Sequence, residues 1–438
     1  VIVIDTPELR ARFSAAASAF QPLGTVQELT GLVVAASLDG GRIGDVVEIE
    51  TADRPLPCEV VGFRGKTLLA IPLEPSRAIA PGATVRPRSA LATVPAGDAI
   101  LGRLIDPFGH PLDGKPAPVA TFRCRLDGNA LPIEHRAEVD DRFDTGVRVI
   151  DGLLTCGRGQ RVGIFAGAGC GKSVLVEQIA SQCEADVVVV GLIGERGREV
   201  RELLGAMRRP GAPPTVIVAA TSDRSPLERV RGAMASTAIA EYFRDRGKNV
   251  VLIIDSLTRF AMALRELGLA LGEPPATKGY PPSVFATMPR LLERVSPRAG
   301  GGSITGFYTV LVEGDDLSDP IADAARSLLD AHIVLSRELA GRGHFPAIDV
   351  LASASRVSHR VSDAAAAQLA SRARDALARR RQVHELQALG AYTGGNAQFD
   401  ASLALGDRLD QWARQRRDDR SPYSETMRGL AGALEATS

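Results

Sequence analysis

An α/β fold, with a β-barrel ahead of it and a helical domain behind it, is what the sequence predicts, and three patterns carry that expectation. Residues 24–88 read as short alternating runs broken by Gly, Asp and Pro, the pattern of a small antiparallel barrel. From about Ala99 to Asp363 strand-like runs alternate with helical stretches, which implies a central parallel sheet covered by helices on both faces. Beyond Asp363 the strands stop and Ala, Leu, Gln and Arg dominate, as in helices. The resulting division is 1–23 as an N-terminal helix or leader, 24–95 as the barrel, 96–363 as the sheet core and 364–438 as the helical end.

At the start of the chain, Thr6 to Phe13 reads as a capped helix. Thr6 is the cap, Pro7 suits the first turn, and Leu9, Phe13 and Phe20 share one face. Packing of this helix onto its own barrel is favoured over docking to a partner or a membrane surface. The chain opens on Val1, and a leader or further native residues ahead of it are expected. The barrel runs are Thr25–Leu29, Leu32–Ala36, Val46–Glu50, Cys58–Phe63 and Thr67–Ile71.

Within the core, the apolar run Arg161–Phe165 is followed by Ala166 to Ser173, AGAGCGKS, and then by the helical Val174–Ala180. A strand, a glycine-rich loop and a helix start in that order can wrap backbone N–H groups around phosphate oxygens. Gly167, Gly169 and Gly171 tolerate the dihedrals such a wrap needs, and Ala168, Cys170 and Val174 complete the cradle. Lys172 would reach the terminal phosphates and the Ser173 hydroxyl would hold Mg²⁺. The helix adds its N-terminal partial charge, so a triphosphate is favoured there. The first position of the usual pattern is Gly and here is Ala166, so a plain glycine-rich turn is the alternative.

Val187–Gly194 is another strand, and it delivers Glu195 at its end, in GERGRE. A carboxylate just past a central strand can orient and polarise a water attacking a γ-phosphate, and Glu195 is the choice for that role. Arg196 and Arg198 would stabilise phosphate charge or tether Glu199. Thr215–Thr221 follows, and then Asn249–Asp255, an apolar strand ending in an acid that can hold the Mg²⁺ shell. Thr305–Glu313 and His332–Ser336 complete the strands, and Ala364–Leu389 and Ala401–Leu434 are the helical stretches.

Composition removes several classes. A chain of 438 residues with 45% hydrophobic and 24% charged residues can bury a large core. Lys plus Arg equals Asp plus Glu at 52 each, so no global basic field points to nucleic acid or an anionic membrane. The five cysteines, Cys58, Cys124, Cys156, Cys170 and Cys183, form no CxxC pair, which fits a reducing cytoplasm better than a disulfide framework or a zinc site. No apolar run approaches the length of a membrane span, and the first residues lack signal-peptide flanks.

Four long motifs then carry a resemblance: GERGRE, the segment Val251–Val295, the segment Thr309–Arg337, and GHFPAIDVLASASR from Gly343 to Arg356. Together they resemble the type III protein-secretion ATPases, a family similar to the subunits of rotary F-type and V-type ATPases. The resemblance runs from about Gly24 to the chain end. It implies a barrel, a RecA-like P-loop NTPase core and a helical C-terminal domain. The Leu153–Gly157 wording, LLTCG, favours the injectisome branch over the flagellar export branch.

By this resemblance Gly167, Gly169, Gly171, Lys172 and Ser173 match the phosphate loop, Glu195 the water-activating glutamate and Asp255 the Mg²⁺ carboxylate. Arg356 matches the arginine that rotary ATPases present to a neighbouring subunit's γ-phosphate, where a guanidinium neutralises charge spreading over the transferring oxygens. Phe345 matches an aromatic that stacks on adenine, with Phe where relatives often have Tyr. An arginine acting in trans implies a homohexameric ring. The family further implies central stalk and peripheral stator proteins, secretion chaperones and effector substrates as partners. It also implies a cytoplasmic protein held at the inner-membrane export apparatus. Cargo docking at Gln382–Leu389 and Gly394–Phe399 of the helical end follows from the resemblance alone.

Two rival classes are weighed against this one. A noncatalytic ring subunit would lack a carboxylate at Glu195. An RNA-translocating helicase of the Rho type would carry a basic, aromatic barrel, whereas residues 1–95 hold nine Lys or Arg against ten Asp or Glu, with Phe13, Phe20 and Phe63 as the aromatics.

Overall fold

The computed structural model describes residues 23–435 apart from 75–78, 89–92, 313, 315 and 317. The capped helix expected over Thr6–Phe13 lies outside the described residues. Six antiparallel strands come first: β1 (Gly24–Thr30), β2 (Val33–Ser37), β3 (Val46–Ile49), β4 (Leu56–Arg64), β5 (Thr67–Pro72) and β6 (Thr84–Arg88). They close into a barrel in the order β1-β2-β5-β4-β3-β6. The interior is filled by Val34, Ile49, Val60, Leu68 and Val85, as alternation along each strand requires. The sequence runs named five of these strands. The sixth, TVRPR, has one fully buried apolar residue, Val85, and pairs with β1 over two residues, so little in its text marks it.

Short pieces lead into the core: β7 (Thr93–Ala96), β8 (Leu104–Ile105), β9 (Phe122–Arg125), β10 (Arg142–Phe143), α1 (Arg148–Leu153) and β11 (Cys156–Gly157). The remaining strands are β12 (Arg161–Ala166), β13 (Val187–Ile193), β14 (Thr215–Ala220), β15 (Asn249–Asp255), β16 (Ser303–Leu311), β17 (Ala331–Leu335) and β18 (Ile348–Ser355). Eight strands form one sheet, ordered β18-β17-β12-β16-β15-β13-β14-β8. All neighbours are parallel except β17 and β18. Every residue of β13 is buried, which is why a continuous apolar run specifies a central parallel strand. The antiparallel edge strand β18, IDVLASAS, was not among the named runs. Small polar and apolar residues alternate there without the β-branched density of the central strands.

Helices cover both faces. These are α2 (Lys172–Gln182), α3 (Gly197–Ala206), α4 (Pro226–Arg244), α5 (Leu257–Ala270), α6 (Pro282–Leu292), α7 (Pro320–Leu328), α8 (Arg337–Gly341), α9 (Ser358–Val361), α10 (Ala364–Ala388), α11 (Ala397–Ala413) and α12 (Tyr423–Glu435). Alternation along the strands splits the core in two. Val189, Val218, Leu252 and Ile254 face α4 to α7, while Val190, Ile217, Val251 and Ile253 face α2 and α3. Ala373, Leu409, Trp412 and Leu430 join the second face, so the helical end packs on the side of the sheet that carries α2. Helix α4 starts on a capping box, Ser225 with Glu228, and its Arg231 reaches back to Glu59 of β4 to tie barrel to core.

One expected helical stretch, 401–434, is broken. Residues 414–422 run without helix between α11 and α12, and they cross to the far end of α2.

Candidate active site

In a parallel sheet all strands deliver their carboxyl ends to one edge, and ligands collect there. Here β12 ends at Ala166 and opens into the glycine-rich loop, β13 ends just before Glu195, and β15 ends at Asp255. In that loop Gly169 and Gly171 have φ of 82° and 86°, a left-handed region that costs any other residue about 1 kcal/mol or more. Gly171 is the N-cap of α2 and offers no side-chain cap, so the first N–H groups of that helix stay free for an anion.

The three strand ends converge on one cation. Lys172 Nζ donates to Glu195 Oε1 at 3.1 Å and to Asp255 Oδ1. Thr309, on β16 between β12 and β15, donates its hydroxyl to the same Asp255 Oδ1 at 2.5 Å. Burial alone would lower the Lys172 pKa, yet Asp255 and Glu195 beside it hold it above its ordinary value, so the ammonium is charged. Burial raises the Glu195 carboxyl, and the Asp255 charge adds to that against the pull of Lys172. Ser173 Oγ donates to Glu199 Oε2 at 3.1 Å, which brings a third carboxylate to the loop.

Thr309 escaped the sequence reading, and Glu199 entered it only as a partner for Arg196 or Arg198, not as a residue of the loop. The spacing of GERGRE could have found Glu199, since four residues after Glu195 is the first turn of α3. Thr309 has no local signal, because only the sheet order sets it beside Asp255. Arg196, the N-cap of α3, is exposed. Arg198 pairs at 3.6 Å with Glu202 one turn on, and the tether expected to Glu199 is not formed. At (i, i+4) Glu202 lies on the same helical face as Arg198, whereas Glu199 is its chain neighbour and faces away toward Ser173.

Beside the loop opens a cleft of about 550 Å³, lined by Gly171, Val174, Phe345, Pro346, Gln415 and Arg416 among others. Phe345 and Val174 are exposed apolar side chains, at 42% and 39%. The Phe345 ring lies so close to the loop that a Cβ on Gly171 would meet its Cε1 at 3.3 Å. A cleft that offers an exposed aromatic ring and an apolar side chain next to a phosphate cradle fits a nucleotide base.

Arg356 lies elsewhere. Strand β18 is antiparallel, so its last residue, Ser355, pairs with Ala331 at the start of β17, and Ala331 pairs with Val162 at the start of β12. The Arg356 N–H donates to the Asp330 carbonyl at 3.0 Å. The glycine-rich loop leaves the other end of β12, five residues or about 16 Å along the strand. That exceeds the reach of any arginine side chain. Arg356 is exposed, and among the described residues its guanidinium makes no hydrogen bond or ion pair.

Comparison with known proteins agrees with this layout. Residues 146–355 match the ATP synthase alpha/beta family nucleotide-binding domain, and 362–432 match the C-terminal domain of the type III secretion ATPase EscN. A flagellum-specific ATP synthase of Pseudomonas aeruginosa is 46% identical over 94% of this chain and 91% of its own length. A type 3 secretion system ATPase of Sinorhizobium fredii is 45% identical over 92% and 90%. The assembled ATPase EscN of enteropathogenic E. coli superposes with a TM-score of 0.88 at 42% identity, covering 94% of this chain and all of that one. A second structure, EscN with its central stalk EscO, gives 0.85 at 41% identity over the same 94% and 100%.

Proposed function

The chain belongs to the family of type III secretion and flagellum-specific ATPases, and from that premise we propose that it hydrolyses Mg-ATP at the subunit interfaces of a homohexameric ring. The cycle drives chaperone release and the unfolding and export of secretion substrates. The observation that carries the reading is the convergence of Lys172, Glu195 and Asp255 beside an anion-binding helix start. A noncatalytic subunit has no use for Glu195 there.

The site's chemistry suits Mg²⁺. Two carboxylates and one ammonium leave the pocket net negative, so a bare triphosphate would be repelled without a divalent cation. Ser173, Asp255 and Glu199 offer hard oxygen donors, and no group of three or more His, Cys, Asp or Glu among the described residues could hold a metal by itself. That balance fits an ion that takes most of its ligands from water and phosphate. When bound, Mg²⁺ would supply charge neutralisation at the β- and γ-phosphates.

The chain's own residues do the rest. Lys172 exchanges its carboxylate partners for the γ-phosphate, which frees Glu195 Oε1. Glu195 then accepts a hydrogen bond from the attacking water and orients it in line. The water oxygen bonds to the γ-phosphorus, the bond to the bridging β–γ oxygen breaks, and the water's proton leaves toward Glu195 or the phosphate. The loop amides from Gly167 to Val174 hold the phosphates, Arg196 adds positive charge at their rim, and Phe345 stacks on adenine. Arg356 of the neighbouring subunit completes the charge balance of the transition state. Glu195→Gln tests the assignment. ATP binding should persist while turnover falls about 10²- to 10⁴-fold. Hydrolysis at the wild-type rate would remove Glu195 from the mechanism.

A ring of this kind works with a central stalk, as the solved EscN–EscO complex suggests, and with peripheral stator proteins, chaperones and effectors. Among the described residues no helix is long and apolar enough to cross a membrane, which suits a cytoplasmic protein held peripherally at the inner-membrane export apparatus. The flagellar export reading is equally consistent with the relatives, at 46% identity to a flagellum-specific one beside 45% for a secretion one. Restored swimming or restored effector secretion in complemented strains distinguishes the two branches.

A further inference from the structure

Helix α2 buries a polar face. Glu177, Gln178, Ser181 and Gln182 are all buried, although their spacing is that of a solvated helix surface. Burying such groups is unfavourable unless each finds a partner. What covers them is the irregular strap 414–421 that interrupts the helical end. Gln178 Nε2 donates to the Arg416 carbonyl at 3.4 Å and Gln182 Nε2 to the Arg417 carbonyl at 2.9 Å. The Arg417 carbonyl has no helix or strand to pair it, and the Arg416 carbonyl accepts one turn bond from the Asp419 N–H at 3.1 Å, so the side chains of α2 add donors from outside the strap.

Glu177 is the centre of this contact. Its side chain accepts from Arg417 Nε at 2.8 Å and from Arg417 Nη2, and it pairs with Arg209 at 3.1 Å. Arg209 also reaches Asp418 of the strap at 2.7 Å. One carboxylate, 4% exposed, therefore joins three pieces: the helix that begins at Lys172, the segment just past α3, which follows Glu195, and the strap. The strap's inner side faces the cleft. Gln415 donates its N–H to the Phe345 carbonyl at 3.0 Å, and its side chain donates to the Gly146 carbonyl at 2.8 Å while accepting from Arg148 N–H at 2.7 Å. Arg148 in turn donates to the Trp412 carbonyl at 2.8 Å.

We propose that Glu177 is a positioning residue for the ATPase reaction: through Arg417 and Arg209 it clamps the strap 414–421 onto α2, and the strap forms the outer wall of the base cleft and anchors Phe345. The inference rests on the ATP reading of that cleft and adds the device that shapes it. Glu177 lies five residues, about 7.5 Å along the helix axis, beyond Lys172, with its side chain turned to the strap. The strap's own contacts, to the Phe345 and Gly146 carbonyls, lie on the base side of the cleft, so loosening it opens that side first. The effect therefore falls on nucleotide affinity, with turnover at saturation retained.

The test uses the full chain and ATP itself, with hydrolysis measured against ATP concentration for Glu177→Gln, Arg417→Gln and the double variant. Each single change should raise KM for ATP roughly tenfold with kcat within about twofold of wild type. The double variant should be no worse than either single one, because both break the same tie. Amide exchange at 415–421 should quicken in the same variants. An unchanged KM, a loss confined to kcat, or effects that multiply in the double variant would overturn the inference. Should Glu177→Gln fail to fold, Arg417→Gln carries the test alone, its side chain being 41% exposed. A wild-type chain that neither binds nor hydrolyses ATP overturns the ATPase reading and this inference together. Variants indistinguishable from an active wild type overturn this inference only.

Discussion

Asp151 is a buried carboxylate on which three donors converge: the Thr145 N–H at 2.9 Å and hydroxyl at 2.7 Å on Oδ1, and the Gly146 N–H at 2.9 Å on Oδ2. An amide has a single oxygen, with an NH₂ donor in place of the second, so Asp151→Asn leaves a protein donor facing an NH₂ group. The expected loss is about 2 kcal/mol of stability, read from denaturant midpoints. Burial lifts the Asp151 carboxyl to about 7. Its stabilising contribution is therefore greatest below the ordinary carboxylate range, and it falls as pH rises toward 7, because the unfolded chain releases the proton first. The deficit of Asp151→Asn should accordingly be larger at pH 5 than at pH 7.5, and the reverse order would contradict this account. At the same scale Lys172, Glu195 and Asp255 were legible because each lies at or shortly after the end of an apolar strand whose burial fixes where it ends. Thr309 and Glu177 were not. The first gains its contact from strand order, and the second is an ordinary helical residue until a distant strap covers it.

At the scale of elements, the strand-to-loop-to-helix unit at Ala166–Ser173 could be read locally because glycine dihedrals and helix starts are local properties. Gly171 meets two constraints at once, a φ of 86° and a ring at contact distance. Gly171→Ala should strain the loop and displace Phe345, weakening ATP binding about tenfold or more in a titration. Undisturbed affinity would mean that the loop relaxes without loss. The strap was misread as helix because Arg, Gln and Asp in RQRRDD do not break a helix by propensity, and Pro422 alone marks the restart. Its path is decided by contacts some 270 residues away in sequence, such as Gln415 to Gly146, which no local pattern encodes. Strand β18 failed for a related reason, since an antiparallel edge of small residues gains its identity from its partner.

For the whole molecule, the alternation of strand and helix gave the parallel sheet, and the sheet then dictates what each active site lacks. A parallel sheet gathers the phosphate loop, Glu195 and Asp255 at one edge, and the antiparallel β18 carries Arg356 to the opposite edge, its guanidinium without a partner among the described residues. On the proposed reading a protomer so built carries half of a site on each of two surfaces, and a closed ring would join them. The most direct measurement mixes two inactive variants, Lys172→Ala, which keeps its arginine, and Arg356→Ala, which keeps its loop. If Arg356 acts across the interface, the mixture recovers ATP hydrolysis to about a quarter of wild type for random placement in a closed ring. A mixture no more active than either variant alone would contradict the shared site.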